Sequence, residues 1–318
     1  MRVFVTGATG VVGRRLVPLL VGAGHEVTAV GRTDAARQAI REAGASAVAL
    51  DVFSPSAARS AFAGHQAVVN LATHLPHSAF GMLFRRGWRD NDRIRTVASA
   101  ILTDAAIAAG VERFVQESFA PVYPDSGDRW IDEGVPLRPI AVNRSILDAE
   151  SSAAGFAESG RAAVVLRFAA FYGPDAFHVP VFIDSVKKGR TPVPGRPEAY
   201  VSSVSHDDAA TAVVAALDVP PGTYNVTDDE PLPRSEAFAA LAREVGARAP
   251  DPLPQWIAVM MGSLGELLGR SLRISNRRLR EASAWRPRYP SLHEGWPAAL
   301  REMLAAPGHG AKVPDGRS

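Results

Sequence analysis

The sequence contains no cysteine, which excludes disulfides, thiolate metal sites and cysteine nucleophiles. Lysine is scarce too: Lys187, Lys188 and Lys312 are the only three, and arginine carries nearly all the basic charge. With many alanines and prolines beside it, that skew reads as a GC-rich genome rather than a function. A formal net charge of +2 is too small for a nucleic-acid binder or a polybasic membrane anchor. No apolar run approaches the roughly 18 residues needed to span a bilayer. The richest stretch, Trp256–Leu268, is broken by Gly262, Ser263, Gly265 and Glu266. The chain opens on an apolar strand pattern with no signal peptide ahead of it, so the expected location is cytoplasmic. Neither a nucleic-acid nor a membrane partner is expected. A local basic group, Arg270, Arg273, Arg277, Arg278 and Arg280, reads as a solvated helix face.

What is present is an ordinary globular balance, 47% apolar and 21% charged over 318 residues, enough for one large domain or two interlocked ones. Short apolar runs alternate with longer helical patterns through the first two-thirds. Strands are expected at Val3–Thr6, Glu26–Val30, Ala47–Leu50, Ala67–Leu71, Arg113–Glu117 and Ala163–Phe168. Helices are expected at Val12–Val21, Asp34–Glu42, Pro55–Phe62, Asp92–Ala109 and about Val142–Ser159. That rhythm predicts an α/β fold, a Rossmann-type doubly wound parallel sheet covered by helices. After Gly173-Pro174, frequent prolines punctuate shorter elements. The expected division is a nucleotide-binding domain over 1–172 and a smaller substrate-binding portion over 173–306 that interleaves with the sheet. A flexible tail is expected over 307–318.

The strongest motif is Thr6-Gly7-Ala8-Thr9-Gly10-Val11-Val12-Gly13, directly after the first strand and opening a helix. Gly7, Gly10 and Gly13 allow a tight turn, close approach of backbone to a pyrophosphate, and close helix–strand packing. Thr9, Val11 and Val12 complete the loop, and the helix start offers free N–H groups to phosphate. The expected cofactor is therefore a dinucleotide. An acidic residue closing the second strand would grip the 2′-hydroxyl of NAD, but Gly31-Arg32 stands there. A guanidinium at Arg32 suits the 2′-phosphate of NADP, so NADP is expected over NAD.

The spacing of those glycines, together with later segments in order, resembles the extended short-chain dehydrogenases: sugar epimerases, dehydratases and related reductases. The segments are His25-Glu26-Val27, Asp51-Val52, Asn70-Leu71-Ala72, Ala109-Gly110-Val111, Arg167 through Tyr172-Gly173-Pro174, His206-Asp207-Asp208-Ala209, Gly222-Thr223-Tyr224-Asn225 and Trp285-Arg286-Pro287. The resemblance implies that Asp51 and Val52 meet the adenine, and that Leu71, Ala72 and Thr73 line the cofactor ribose. It also places Arg167 at the cofactor edge, and it implies a homodimer built on the helices near 92–109 and 142–159. It makes the His206-Asp207-Asp208 group structural, and no metal site is expected.

In that family a Tyr-x-x-x-Lys pair on a helix handles the proton, and a serine orients the carbonyl. Here the residues four places after Tyr123, Tyr172, Tyr200, Tyr224 and Tyr289 are Gly127, Ala176, Val204, Asp228 and His293, none of them lysine. Matching the stretch Pro136–Glu150 to the family puts Val142 and Ile146 at the pair, or Asn143 and Leu147 if shifted by one. Phe119 falls at the serine, with Ser118 one place early. The chain thus resembles the atypical members, some of which are ketoreductases tailoring aromatic polyketides while others bind nucleotide as sensors or scaffolds.

Four residues are candidates for the catalytic role. Tyr123 follows the fifth strand, where the resemblance puts the nicotinamide. His74 lies at the cofactor edge and titrates in the useful range. Ser118 and Asn143 could hydrogen-bond a carbonyl. The expected function is an NAD(P)H-dependent ketoreductase acting on a hydrophobic small molecule, its carbonyl already bonded to a neighbouring hydroxyl. A non-catalytic cofactor-binding regulator or scaffold stays open at this point, as does an epimerase or dehydratase with relocated residues.

Overall fold

The computed structural model describes residues 1–76 and 85–305. The tail expected over 307–318 lies outside them. Seven strands form one sheet: β1 (Arg2–Thr6), β2 (Glu26–Val30), β3 (Ser46–Val48), β4 (Ala67–Asn70), β5 (Arg113–Phe119), β6 (Ala162–Phe168) and β7 (Gly222–Val226). Their order is β7-β6-β5-β4-β1-β2-β3, and every pair is parallel. This is the doubly wound order, which reverses direction between β1 and β4 and opens a crevice at their carboxyl ends. Residues such as Val68, Val69, Phe114 and Val115 are wholly buried, as a sheet covered on both faces requires.

Helices α1 (Gly13–Gly22), α2 (Asp34–Glu42), α3 (Pro55–Phe62), α4 (Arg85–Arg93), α5 (Ser99–Ala108) and α6 (Ile146–Glu158) belong to the first half. In the second half come α7 (Val179–Lys187), α8 (His206–Ala215), α9 (Arg234–Glu244), α10 (Gln255–Met260), α11 (Gly262–Gly269), α12 (Arg277–Ala282) and α13 (Leu292–Ala305). One face of the sheet packs Val5, Val69, Val115 and Leu166 against Leu16 and Leu20 of α1 and Val213 of α8. The other packs Phe4, Val68 and Phe114 against Phe62, Leu102 and Phe156. A third core joins α7, α9 and α13 through Val186, Phe238, Leu241 and Trp296.

Three differences from the sequence expectations bear on the site. The helix expected over Asp92–Ala109 is two α-helices joined by a π-helical turn, Ile94–Ala98. Helix α6 starts at Ile146, after a turn in which the Asn143 and Ile146 amides donate to the Ile140 and Asn143 carbonyls. A seventh strand, from beyond residue 172, completes the sheet, so the chain returns to the first layer after leaving it. The arginine group is solvated only in part: Arg277 and Arg278 are exposed and Arg280 is half-exposed. Arg270 is buried and donates to the Pro121 and Tyr123 carbonyls, while Arg273 stacks on Trp130 and Tyr200.

Candidate functional site

The crevice at the β1–β4 switch is built from backbone. Gly7 adopts φ +68°, and a Cβ there would run into the Leu71 carbonyl. A Cβ at Gly13 would strike the Gly7 carbonyl, so α1 seats against the turn only because residue 13 is glycine. The Gly10 amide closes the turn by donating to the Gly7 carbonyl at 3.0 Å. Thr9 and Gly10 stay exposed and Val11 half-exposed, while Val12 is buried beneath them. Glycines are thus forced where chain meets chain, and the loop keeps an open outer surface at the amino end of α1. That shape fits a dinucleotide's diphosphate.

Beneath the crevice runs a buried polar line. Thr6 Oγ1 donates to Asn70 Oδ1 at 2.6 Å, Asn70 Nδ2 to Gln116 Oε1 at 2.9 Å, and Gln116 Nε2 to the Glu117 carbonyl at 2.8 Å. Asn70 Oδ1 also accepts the Ala72 amide at 3.3 Å, which fixes how the chain leaves β4. Leu71 is buried, and Ala72, Thr73 and His74 are half-buried along the rim.

At the β2 end, Arg32 is exposed and Gly31 is buried. Arg37, which the sequence reading passed over, lies across Gly31: its Nη1 donates to the Gly31 carbonyl at 2.9 Å, and it pairs with Asp34. A Cβ on residue 31 would come within 2.8 Å of the Arg37 side chain. Two guanidinium groups therefore flank this end. Beyond β3, Asp51 is exposed and accepts the Phe53 amide at 3.0 Å, with Val52 half-buried between them.

The β5–α6 side is different. Tyr123 is wholly buried, its hydroxyl accepting from Arg167 Nη1 and donating to Asn225 Oδ1, each at 2.8 Å. Burial pushes its pKa up to about 12, although the Arg167 charge and hydrogen bond pull the other way. Ser118 Oγ donates to Glu150 Oε1 at 2.6 Å. The same carboxylate takes Arg167 Nε at 2.8 Å and Nη2 at 2.6 Å, a two-pronged buried pair. Asn143 Oδ1 accepts the Ile140 amide and its Nδ2 donates to the Pro121 carbonyl, stapling the turn before α6. Tyr123, Ser118 and Asn143, expected as catalytic candidates, are buried and each is hydrogen-bonded to a protein partner. Arg167, expected at the cofactor edge, is buried and paired with Glu150. Of the four catalytic candidates, His74 alone has a side chain that is not buried.

Val142 and Ile146 are both buried. Val142 packs with Trp88 of α4, Ile140, and Leu264 and Leu267 of α11. The position matched to the family's tyrosine is therefore part of an apolar wall. The charged and amide groups near it, Arg95, Glu117 and Asn91, were missed in the sequence; the available signal was a buried glutamine and glutamate in mid-strand, directly after Phe114 and Val115. Among the described residues, no group of three His, Asp or Glu side chains is placed to hold a metal ion, and no helix is long and apolar enough to cross a membrane.

Comparison with known proteins gives a consistent result. Residues 3–227 match the NAD dependent epimerase/dehydratase family. The chain is 33% identical, over 314 residues, to a 3-diazoavenalumate denitrifying reductase from a Streptomyces species, with 93% of this chain and 99% of that protein covered. It is 29% identical to a 2-alkyl-3-oxoalkanoate reductase of Stenotrophomonas maltophilia, covering 86% of this chain and 85% of that one. In fold it is similar to a human epimerase family protein crystallised with NADPH, at TM-score 0.74 and 20% identity, covering 96% and 99% of the two chains.

Proposed function

The chain belongs to the NAD-dependent epimerase/dehydratase family and is an NAD(P)-dependent oxidoreductase, and from that premise we propose that it reduces a hydrophobic small molecule whose reacting centre needs no proton from the protein. One observation carries the reading. Where the resembling enzymes keep a proton-handling pair, this chain has buried Val142 and Ile146, and the hydroxyls of Tyr123 and Ser118 are committed to Asn225 and Glu150.

When bound, the nicotinamide supplies the hydride. The protein's part is to hold, orient and keep dry. The Gly7–Gly13 turn and the start of α1 hold the diphosphate. Arg32, with Arg37 behind it, is suited to a 2′-phosphate, which supports NADP as the preferred form. The packed cluster of Val142, Trp88, Leu264 and Leu267 makes the wall beside the position of the missing pair apolar and keeps it dry, which suits an apolar substrate. General acid catalysis typically contributes about 10² to 10⁴ in rate, while orientation contributes comparably or more, so an ordered corner without an acid still supports reduction.

Two substrate classes suit such a corner. The first is a ketone already hydrogen-bonded to a hydroxyl on the same molecule, which polarises the carbonyl and supplies the proton. The second is favoured by the diazo compound named for the 33% identical relative. A diazonium carbon or nitrogen is cationic, so it takes up a hydride and loses dinitrogen with no proton added.

The test is to follow oxidation of NADPH and NADH against hydroxyl-flanked aromatic ketones, arenediazonium salts and simple ketones. Deuterium from C4-labelled cofactor should appear in the product of either of the first two classes. Equal rates on simple ketones would overturn the claim that the protein donates no proton. Arg32→Ala should weaken NADPH about tenfold and leave NADH unchanged, and equal weakening of both would remove Arg32 from the 2′-phosphate site.

A further inference from the structure

One face of α4 and the π turn that follows it presents Asn91, Asp92 and Arg95 to three different elements. Asn91 Oδ1 accepts the His74 amide at 3.0 Å, on the loop leaving β4. Asp92 Oδ1 accepts from Ser145 Oγ at 2.7 Å, one residue before α6 begins. Arg95 Nη2 pairs with Glu117 near the end of β5, at 3.1 and 3.3 Å from its two oxygens. The three side chains therefore meet at the corner where β4, β5 and α6 converge, beside Ile146.

Among the described residues, two donors at that corner have no partner. Asn91 Nδ2 and Arg95 Nε are both buried and unbonded, on side chains 0% and 4% exposed. Buried donors are almost always satisfied, and two orphans one helical turn apart point to an acceptor that binds between them. The turn carrying Arg95 is π-helical, a local geometry that recurs at functional sites. Glu117 neutralises the guanidinium and fixes its plane through Nη2, which leaves the Nε–H edge for a ligand.

The sheet order says which ligand. The glycine turn holds a diphosphate over β1, and the adenosine side, marked by Arg32 and Asp51, runs toward β2 and β3. The other half of a dinucleotide has only one way to go, across β4 toward β5. We propose that Asn91 and Arg95 are a donor pair for the nicotinamide half of the cofactor, giving hydrogen bonds from Nδ2 and Nε to its oxygen atoms while Glu117 holds the guanidinium in place. The inference rests on the dinucleotide reading above.

Binding, not turnover, tests it. Arg95→Lys keeps a cation for Glu117 but loses the Nε donor. Asn91→Asp keeps the Oδ1 acceptor for the His74 amide but loses the Nδ2 donor. Each variant is titrated with NADPH and with adenosine 2′,5′-bisphosphate, which contains the adenosine half alone; ADP replaces the latter if NADH proves the tighter cofactor. The expected result is about tenfold weaker binding of the whole cofactor and unchanged binding of the adenosine half. Unchanged cofactor binding would mean that the two donors face trapped water. Equal weakening of both ligands would mean that the pair only supports the fold. Either result overturns the proposal and leaves the dinucleotide reading standing, whereas a wild-type chain that binds neither ligand would defeat both.

Discussion

The two ends of the crevice are built by different means. Around β1 and β2 the shape is made by backbone: Gly7, Gly13 and Gly31 sit where any side chain would collide with a neighbouring segment. Around β5 and α6 it is made by side chains that satisfy one another, with Glu150 bridging Ser118 and Arg167, and Tyr123 bridging Arg167 and Asn225. A site made of backbone tolerates little change, because one Cβ destroys it. A site made of side chains can be refilled, and here the refilling is apolar at Val142 and Ile146 and ionic at Arg95 and Glu117.

The comparison is broken most directly at the backbone end. Gly7→Ala puts a Cβ on a residue with φ +68° and against the Leu71 carbonyl. A non-glycine residue in that conformation costs roughly 1–2 kcal/mol before the collision is counted. The turn must shift, and cofactor binding should fall by roughly a hundredfold or more, about 2.7 kcal/mol, while the sheet still folds. Fluorescence titration with NADPH measures it. A variant that binds within a fewfold of wild type would show that the turn does not form the diphosphate seat.

At the side-chain end, Tyr123→Phe separates a structural hydroxyl from a proton donor. Removing it deprives Arg167 Nη1 and Asn225 Oδ1 of a buried partner, which costs about 1–3 kcal/mol. Thermal unfolding should shift down accordingly, with turnover changed less than about tenfold and the pH–rate profile unmoved. A loss of about 10² or more at unchanged melting temperature would restore Tyr123 as the acid.

The same contrast explains what could be read in advance. The six strands expected from the sequence are present within a residue or two, because a sheet buried on both faces forces continuous apolar runs such as Val3–Val5 and Val68–Val69. The glycine turn was legible because steric exclusion leaves one residue type. The Gly222–Val226 stretch stood out as a family landmark but not as a strand. It lies on the edge of the sheet, where only part of it is buried and the apolar run is short. The pairings at the side-chain end were not legible, for a different reason. Whether Tyr123 faces a ligand or Arg167 depends on the partner across 44 residues of chain, and no local pattern carries that pairing. The π turn at Ile94–Ala98 has no proline or glycine to announce it, so the register that brings Arg95 to Glu117 was invisible.

A last test concerns His206, whose place beside Asp207 and Asp208 superficially suggests a ligand cluster. It is buried against Phe171, and a Cβ on Gly173 would come within 2.5 Å of its Nδ1. Burial, with the positive charge of Arg15 second, lowers its pKa to about 3. The unfolded value is near 6.5, so between about pH 3 and 6.5 the unfolded chain binds a proton that the folded chain refuses. Its contribution to stability is therefore full above pH 6.5 and is lost as the pH falls, with a slope of at most about 1.4 kcal/mol per pH unit. Asp228 runs the opposite way. Burial raises its pKa to about 7 against the hydrogen bonds from Ser203 and Thr227, so its contribution is full below about 3.8 and declines as the pH rises through 7. The two slopes offset each other in the wild-type profile, and only a difference isolates the histidine. Subtracting the unfolding free energy of His206→Gln from that of wild type, pH by pH, should leave a curve that rises from pH 4 to 6.5 and is flat above. A flat difference throughout would mean that His206 is accessible to protons in the folded protein, and its packing against Phe171 and Gly173 would then be looser than its burial implies.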